Sequence, residues 1–466
     1  MSVQIEERVR LADRAFFGHP RGLGWLSFTE VWERFSYYGM QTLLVLYMTH
    51  QLLLPGHVEH IAGFAVFRHI VESVTGPLSP QALGSQIFGL YAGLVWFTPI
   101  LGGLLADRLT GRTFAIVGGA ILMVIGHFLM AFEQSFLIAL TCLLIGVGCF
   151  KGNLAGQVGS LYAPGDTRAG SAFQIYYLGI QIAVVITPLV CGTLGELYGW
   201  HWGFATAGVG MLGGLLIYLR GRRWLAPEPP RGRAAKESER YVMTTRDWRN
   251  VAVMVALLPM LAAVTIPSNQ VANAYVIWAE TTLKLDVFGL RVPVTWLQSL
   301  DSIGTSSMIL VSLWLWARWS TRQSEPDEMS KIALFGAICG LSPLILAAAS
   351  WQAAVSGHRV GLGWAVFYEA VMTFGWVNVA PVATALYSRH APRPIASTIL
   401  GVYYLQIFLS NVLVGWLGSF LERMSGMNFW LMHAAIAGGA AVILLLVRAP
   451  VARWLAPASE HSIANV

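Results

Sequence analysis

The chain has 466 residues, of which 56% are hydrophobic and only 12% charged, with a mean hydropathy of +0.60. No set of soluble cores buries that much apolar surface, so a soluble multidomain protein is excluded and the lipid bilayer is the main solvent. The net charge of +6 needs no nucleic-acid partner, because the basic residues mark one membrane face.

In chain order, the polar stretch 1–23 carries Arg8, Arg10, Arg14 and Arg21 without a small-residue cleavage site behind a short apolar core, so no removable signal peptide is expected. A hydrocarbon layer about 30 Å thick takes roughly 20 apolar residues in a helix. Twelve runs are read as spans, at 24–49, 83–106, 113–133, 136–160, 170–194, 201–219, 250–282, 294–318, 331–352, 361–388, 394–420 and 428–448. The first contains FTEVWERFSYYGM, whose ionisable residues are expensive in a membrane and so mark a function. Glu30 and Arg34 stand at i and i+4 with the acid first, the favourable order for an ion pair. Glu33 and Tyr37 extend the carboxylate face, and Tyr38 shares the stripe of Arg34.

After the second span, GGLLADRLTGR (Gly102 to Arg112) reads as a short turn. It resembles the signature turn of the major facilitator superfamily, which implies close helix packing at its glycines and a gating role for Asp107 and Arg108. The fourth span holds the other buried cation, Lys151 in GVGCFKGN. At 1.5 Å per residue, Glu33 and Lys151 both come out roughly 14 Å from the same side, so they are expected to meet. A lysine beside carboxylates in a low-dielectric cavity responds to its neighbours' charge state, which makes Glu30, Glu33, Arg34 and Lys151 the candidate proton-coupling set.

The stretch 220–249, rich in charge and proline, reads as a basic linker between a six-helix bundle at 24–219 and another at 250–448, with a tail at 449–466. With both termini and this linker cytoplasmic, 23 of the 30 Lys and Arg lie inside, five lie outside and Arg34 and Lys151 lie within spans. That bias predicts a multi-pass protein of the plasma (inner) membrane with both ends inside. Cys142, Cys149, Cys191 and Cys339 all fall within spans as small apolar fillers. His50, His57, His60 and His69 are irregularly spaced, so no metal and no cofactor is expected. No intramembrane set of histidine with aspartate, or serine with a base, suggests an enzyme.

Two six-helix bundles joined by a basic loop resemble the major facilitator fold, all-α with twelve transmembrane helices, in which solute binds near the midplane and the halves rock about it. ExxERFxYYG, present as Glu30, Glu33, Arg34, Phe35, Tyr37, Tyr38 and Gly39, resembles the first-helix signature of proton-dependent oligopeptide transporters. Lys151 stands where that family keeps a lysine, and GDTRAGSAFQIYYLGIQIAVVITP from Gly165 is similar to its fifth-helix segment. LQSLD, a proline-containing tenth span followed by HAP, and Asn411 agree more loosely. The resemblance implies a monomer in the bilayer that imports di- and tripeptides with protons as the coupling ion. Arg34 and Lys151 would serve the peptide carboxylate, with Tyr37, Tyr38, Tyr91, Tyr176, Tyr403, Tyr404 and Trp376 as aromatic walls and Gln181 in place of a family asparagine.

Four departures from that family sharpen the expectations. Gln41 and Asn269 replace an arginine and a glutamate that bridge at the outer gate, and both lie roughly 25 to 28 Å from the inner side, so a neutral hydrogen-bonded gate is expected. Trp376 replaces a glutamate of the tenth helix, and Asp301 replaces an asparagine of the eighth. Asp301 is therefore expected to take the peptide amine, with Glu369, two turns before Trp376, as a displaced acid. The cations alone would equally suit nitrate or a small organic acid, which remains the alternative cargo.

Overall fold

The computed structural model describes residues 13–163, 166, 168–227, 243–287, 289–392 and 395–455. Gly165 of the fifth-span motif, half of the linker and both chain ends lie outside the described residues. Twelve long helical stretches follow in order. They are α1 (Arg21–Tyr47), α2 (Pro80–Leu105), α3 (Arg112–Leu129), α4 (Phe136–Gly159), α5 (Arg168–Thr187, prolonged to Tyr198) and α6 (Trp200–Gly221). The second half has α7 (Thr245–Val264, continued in pieces to Thr282), α8 (Trp296–Ser320), α9 (Glu328–Leu341 and Pro343–Ser356), α10 (Gly363–His390), α11 (Ala396–Gly418) and α12 (Gly426–Leu455). Eleven are long and apolar enough to cross a membrane. The other is α1, whose apolar run is interrupted by polar residues from Glu30 to Gln41.

Some boundaries move for identifiable reasons. Helix α7 starts at Thr245 because Thr244 and Asp247 form a reciprocal capping box, five residues before the expected start of the seventh span. Helix α12 runs past the expected tail boundary to Leu455, where the Trp454 carbonyl accepts a 2.8 Å bond from Arg249 at the start of α7. Between α1 and α2 an unexpected helix, Phe64–Thr75, exposes Val66, Ile70 and Val74 at four-residue spacing.

Helices α1 to α6 pack mainly on one another and α7 to α12 do likewise; α2 against α11 and α5 against α8 join the two sets. Small residues permit these crossings. A Cβ on Gly89 would come within 2.5 Å of the Asn411 carbonyl, and one on Gly102 within 2.0 Å of the Gly148 carbonyl.

We call the face where α1 begins and α6 ends the linker face. Cross-set bonds cluster at the opposite, far face. Thr42 donates to Gln298 at 2.9 Å, Gln81 to the Gly418 carbonyl at 3.2 Å and Trp296 to Thr193 at 2.8 Å. His50 sits 3.1 Å from Glu280. Glu196, at the end of α5, accepts from the backbone of Val294 and Thr295 at 3.1 and 3.0 Å and from the Thr295 hydroxyl at 2.6 Å. A carboxylate gathering donors at the start of α8 also meets the positive end of that helix. The far face is closed.

Two predictions follow from this packing. Gly102→Leu should destabilise the detergent-solubilised protein by about 1–3 kcal/mol through overpacking. Gly103→Leu, with open space around its Cβ, should leave the melting temperature unchanged. Glu196→Ala removes three acceptor contacts, bonds to a charged group being worth about 1.5–3 kcal/mol each. Distances between spin labels on the exposed Tyr198 and Leu290 positions should then broaden toward an open far face; an unchanged distribution counts against the clamp.

Candidate functional site

Uninterrupted helical geometry through Arg21–Tyr47 brings the α1 polar residues into one buried group. Glu30, Glu33 and Arg34 are each under 5% exposed. Arg34 Nε lies 3.1 Å from Glu30 Oε1 and 2.5 Å from Glu33 Oε2, so the expected i, i+4 pair is present and shared with a second acid. The guanidinium also stands 5.4 Å over the Tyr37 ring, which meets Tyr38 edge to face. One nitrogen serves both carboxylates. Arg34 Nη2, Glu30 Oε2 and Glu33 Oε1 stay buried without a hydrogen-bond partner among the described residues. Tyr176 of α5 faces Glu30, and the buried Tyr91 of α2 neighbours Tyr37 and Glu33.

Lys151 does not meet Glu33 as expected. Its Nζ rests 3.4 Å from the centre of the Trp96 ring, and among the described residues no carboxylate oxygen lies within 4 Å. Arg34 already occupies both acids and repels a second cation, while the indole face accepts an ammonium without any acid. Such a contact contributes about 2 kcal/mol when desolvated. Glu33 and Arg34 remain within electrostatic reach. Trp96 in turn stacks on Tyr404 of α11, with centroids 5.7 Å apart and planes 23° apart. The column Lys151, Trp96, Tyr404 therefore spans the two helix sets. Trp96 is absent from the sequence-based expectations, since an aromatic residue in an apolar span carries no distinguishing signal.

The other expected residues divide. Gln181 reaches Ser306 of α8 at 3.5 Å, and Trp376 is half-buried against the apolar core. Tyr403 is no open wall: it is 3% exposed, and its hydroxyl donates to the Ala380 carbonyl inside its own set. The expected Gln41–Asn269 gate bond is not formed. Asn269 turns to Ser410 at 2.9 Å and to its own helix, where α7 breaks into short turns, and Gln41 Oε1 has no partner. The neutral far-face bond is made one residue on, by Thr42 and Gln298. Asp107 stands 3.8 Å from Arg112 across the turn, and Arg108 is exposed.

Asp301 does not stand alone. Its carboxyl on α8 faces that of Glu369 on α10, with the Tyr275 hydroxyl of α7 also beside Glu369. Glu369 is 1% exposed, and Asp301 is half-buried. Sequence reading weighed each acid separately and had no means of pairing them, because the facing rotation of two helices is not written in either.

The POT family model matches residues 113–252 and 233–431. The chain is 27% identical to the peptide transporter YePEPT of Yersinia enterocolitica, covering 93% of this chain and 95% of the relative. It is 26% identical to a di-/tripeptide transporter of Lactococcus lactis subsp. cremoris, covering 96% and 99%. A crystal structure of a mutant peptide transporter POT in complex with alafosfalin superposes with a TM-score of 0.82 at 25% identity, over 96% of this chain and 98% of that one. The chain thus has the helical membrane fold of these transporters, and it belongs to the POT family.

Proposed function

We propose that the chain is a proton-coupled symporter that imports di- and tripeptides by alternating access, with the α1 carboxylates and Lys151 handling protons and the peptide carboxylate. The observation that carries this reading is the under-satisfied Arg34. Its Nη2 is buried without a partner beside two acids that each keep one free oxygen. A buried donor of this kind costs about 1–3 kcal/mol until something accepts from it, and a planar carboxylate fits a guanidinium edge. Lys151, held by an aromatic face and no acid, is a second cation free to turn toward the same anion.

The cycle is a change of partners. A proton on Glu33 or Glu30 frees Arg34; the peptide carboxylate takes Arg34 and Lys151; release at the linker face restores the internal ion pairs. The amine end goes to Asp301 in the other helix set. That acid favours a zwitterion over nitrate or a simple organic acid, neither of which needs a negative group. The names borne by the relatives, peptide transporter and di-/tripeptide transporter, favour the same cargo. The protein works as a monomer in the inner membrane, with no cofactor beyond the coupling proton, and the basic bias assigns the linker face to the cytoplasm.

In proteoliposomes, Glu33→Gln should keep peptide exchange between the two sides but lose accumulation driven by a proton gradient; full accumulation sinks the coupling scheme. Asp301→Asn should weaken dialanine binding about 10- to 100-fold, the loss of a charged hydrogen bond. Unaltered affinity rejects Asp301 as the amine site, and competition of uptake by nitrate but not by dialanine rejects the peptide reading altogether.

A further inference from the structure

We propose that Asp301 and Glu369 form a second proton-binding site, a carboxyl pair that holds a single proton between its two side chains. The pair stands on burial and neighbours in the second helix set, whichever solute the chain carries. Glu369 is 1% exposed, and both of its oxygens lack a hydrogen-bond donor among the described residues. Tyr275, fully buried, brings an unpartnered hydroxyl to the same place from α7. Helix α8 packs on α10 here, the Cβ position of Gly304 lying 3.4 Å from Thr373 Oγ1 and 3.9 Å from the Glu369 carbonyl oxygen.

Among the described residues no counter-charge pairs with these acids. From α7 the pair meets Tyr275, and on α10 the adjacent Tyr368 spends its hydroxyl on the Pro267 carbonyl at 3.0 Å. From α9 comes Cys339, against Tyr368, and from α1 comes Tyr38, which lies within reach of Asp301. Among the described residues no lysine, arginine or histidine pairs with either acid. Two ionised carboxylates facing each other in a low-dielectric interior repel strongly. One proton converts that repulsion into a charge-assisted hydrogen bond and supplies the missing donor for Glu369. The pair then carries one negative charge instead of two, and the proton belongs to the pair rather than to either residue.

This puts a proton store in the second helix set, apart from the one on α1. Asp301 sits on the helix that also contacts α5, through Ser299 to the Val185 carbonyl at 2.8 Å, so the store lies beside the surface on which the sets move.

Infrared titration of the full chain in lipid nanodiscs tests the pair directly, because a protonated carboxyl has a carbonyl stretch that a carboxylate lacks. The unmodified protein should absorb there at neutral pH. Glu369→Gln should remove that component, leaving Asp301 to ionise, and Glu33→Gln should leave it in place. A spectrum unchanged by Glu369→Gln overturns the proposal, as does loss of the component in Glu33→Gln alone. Asp301→Asn serves if Glu369→Gln does not fold: the component should shift in frequency, since the proton stays on Glu369 with a different partner. An unshifted component also overturns the pair.

Discussion

A single guanidinium held by one nitrogen between two buried carboxylates is the constraint on which the rest of the first helix set turns. Arg34 cannot leave the membrane interior uncharged, and Glu30 and Glu33 cannot both stay ionised without it. Three charges on one helix leave an excess of one negative, and Lys151, within electrostatic reach, brings the local total to zero. That balance explains why α1 tolerates a composition that no other span in the chain has. It also explains why Lys151 needs no acid of its own: an aromatic face suffices for a cation whose compensating charge lies within electrostatic reach.

The far-face bonds and the aromatic column divide the work between the helix sets. Neutral pairs such as Thr42 with Gln298 are worth about 1 kcal/mol each, so they can be broken and remade without titrating. Glu196 is a stronger clamp than these, because three donors converge on a charged acceptor. The stack of Trp96 on Tyr404 lies between this closed face and the linker face, an apolar contact between the two sets with Lys151 resting on its outer ring.

Much of this was legible in the sequence, and the rest had a common reason for being hidden. The α1 cluster was readable because its members share one helix, where 3.6 residues per turn dictates who meets whom. The twelve spans were readable from apolar length, save for the capping box that extends α7 and the loop helix at Phe64–Thr75. Contacts between helices depend on rotation about each axis, which height along the membrane does not reveal. Gln41 and Asn269 stand at similar heights, yet the break in α7 turns Asn269 toward Ser410 and leaves the gate to Thr42. Glu33 and Lys151 likewise share a depth without sharing a bond. Asp301 and Glu369, seventy residues apart on different helices, face each other with nothing in either local segment to announce it.

The charge arrangement across the two sets also bears on why the proposed cargo is a zwitterion. The first set offers the free edge of Arg34 and Lys151; the second offers acids that, among the described residues, pair with no cation. A solute with a carboxylate at one end and an ammonium at the other meets each set with the opposite charge, and its binding draws the sets together. A simple anion engages only the first set and leaves the acids of the second unanswered, so it gains nothing from their approach. Differential interaction with the open and closed arrangements is what a transported solute must supply, and under the proposed function it would come from having two ends.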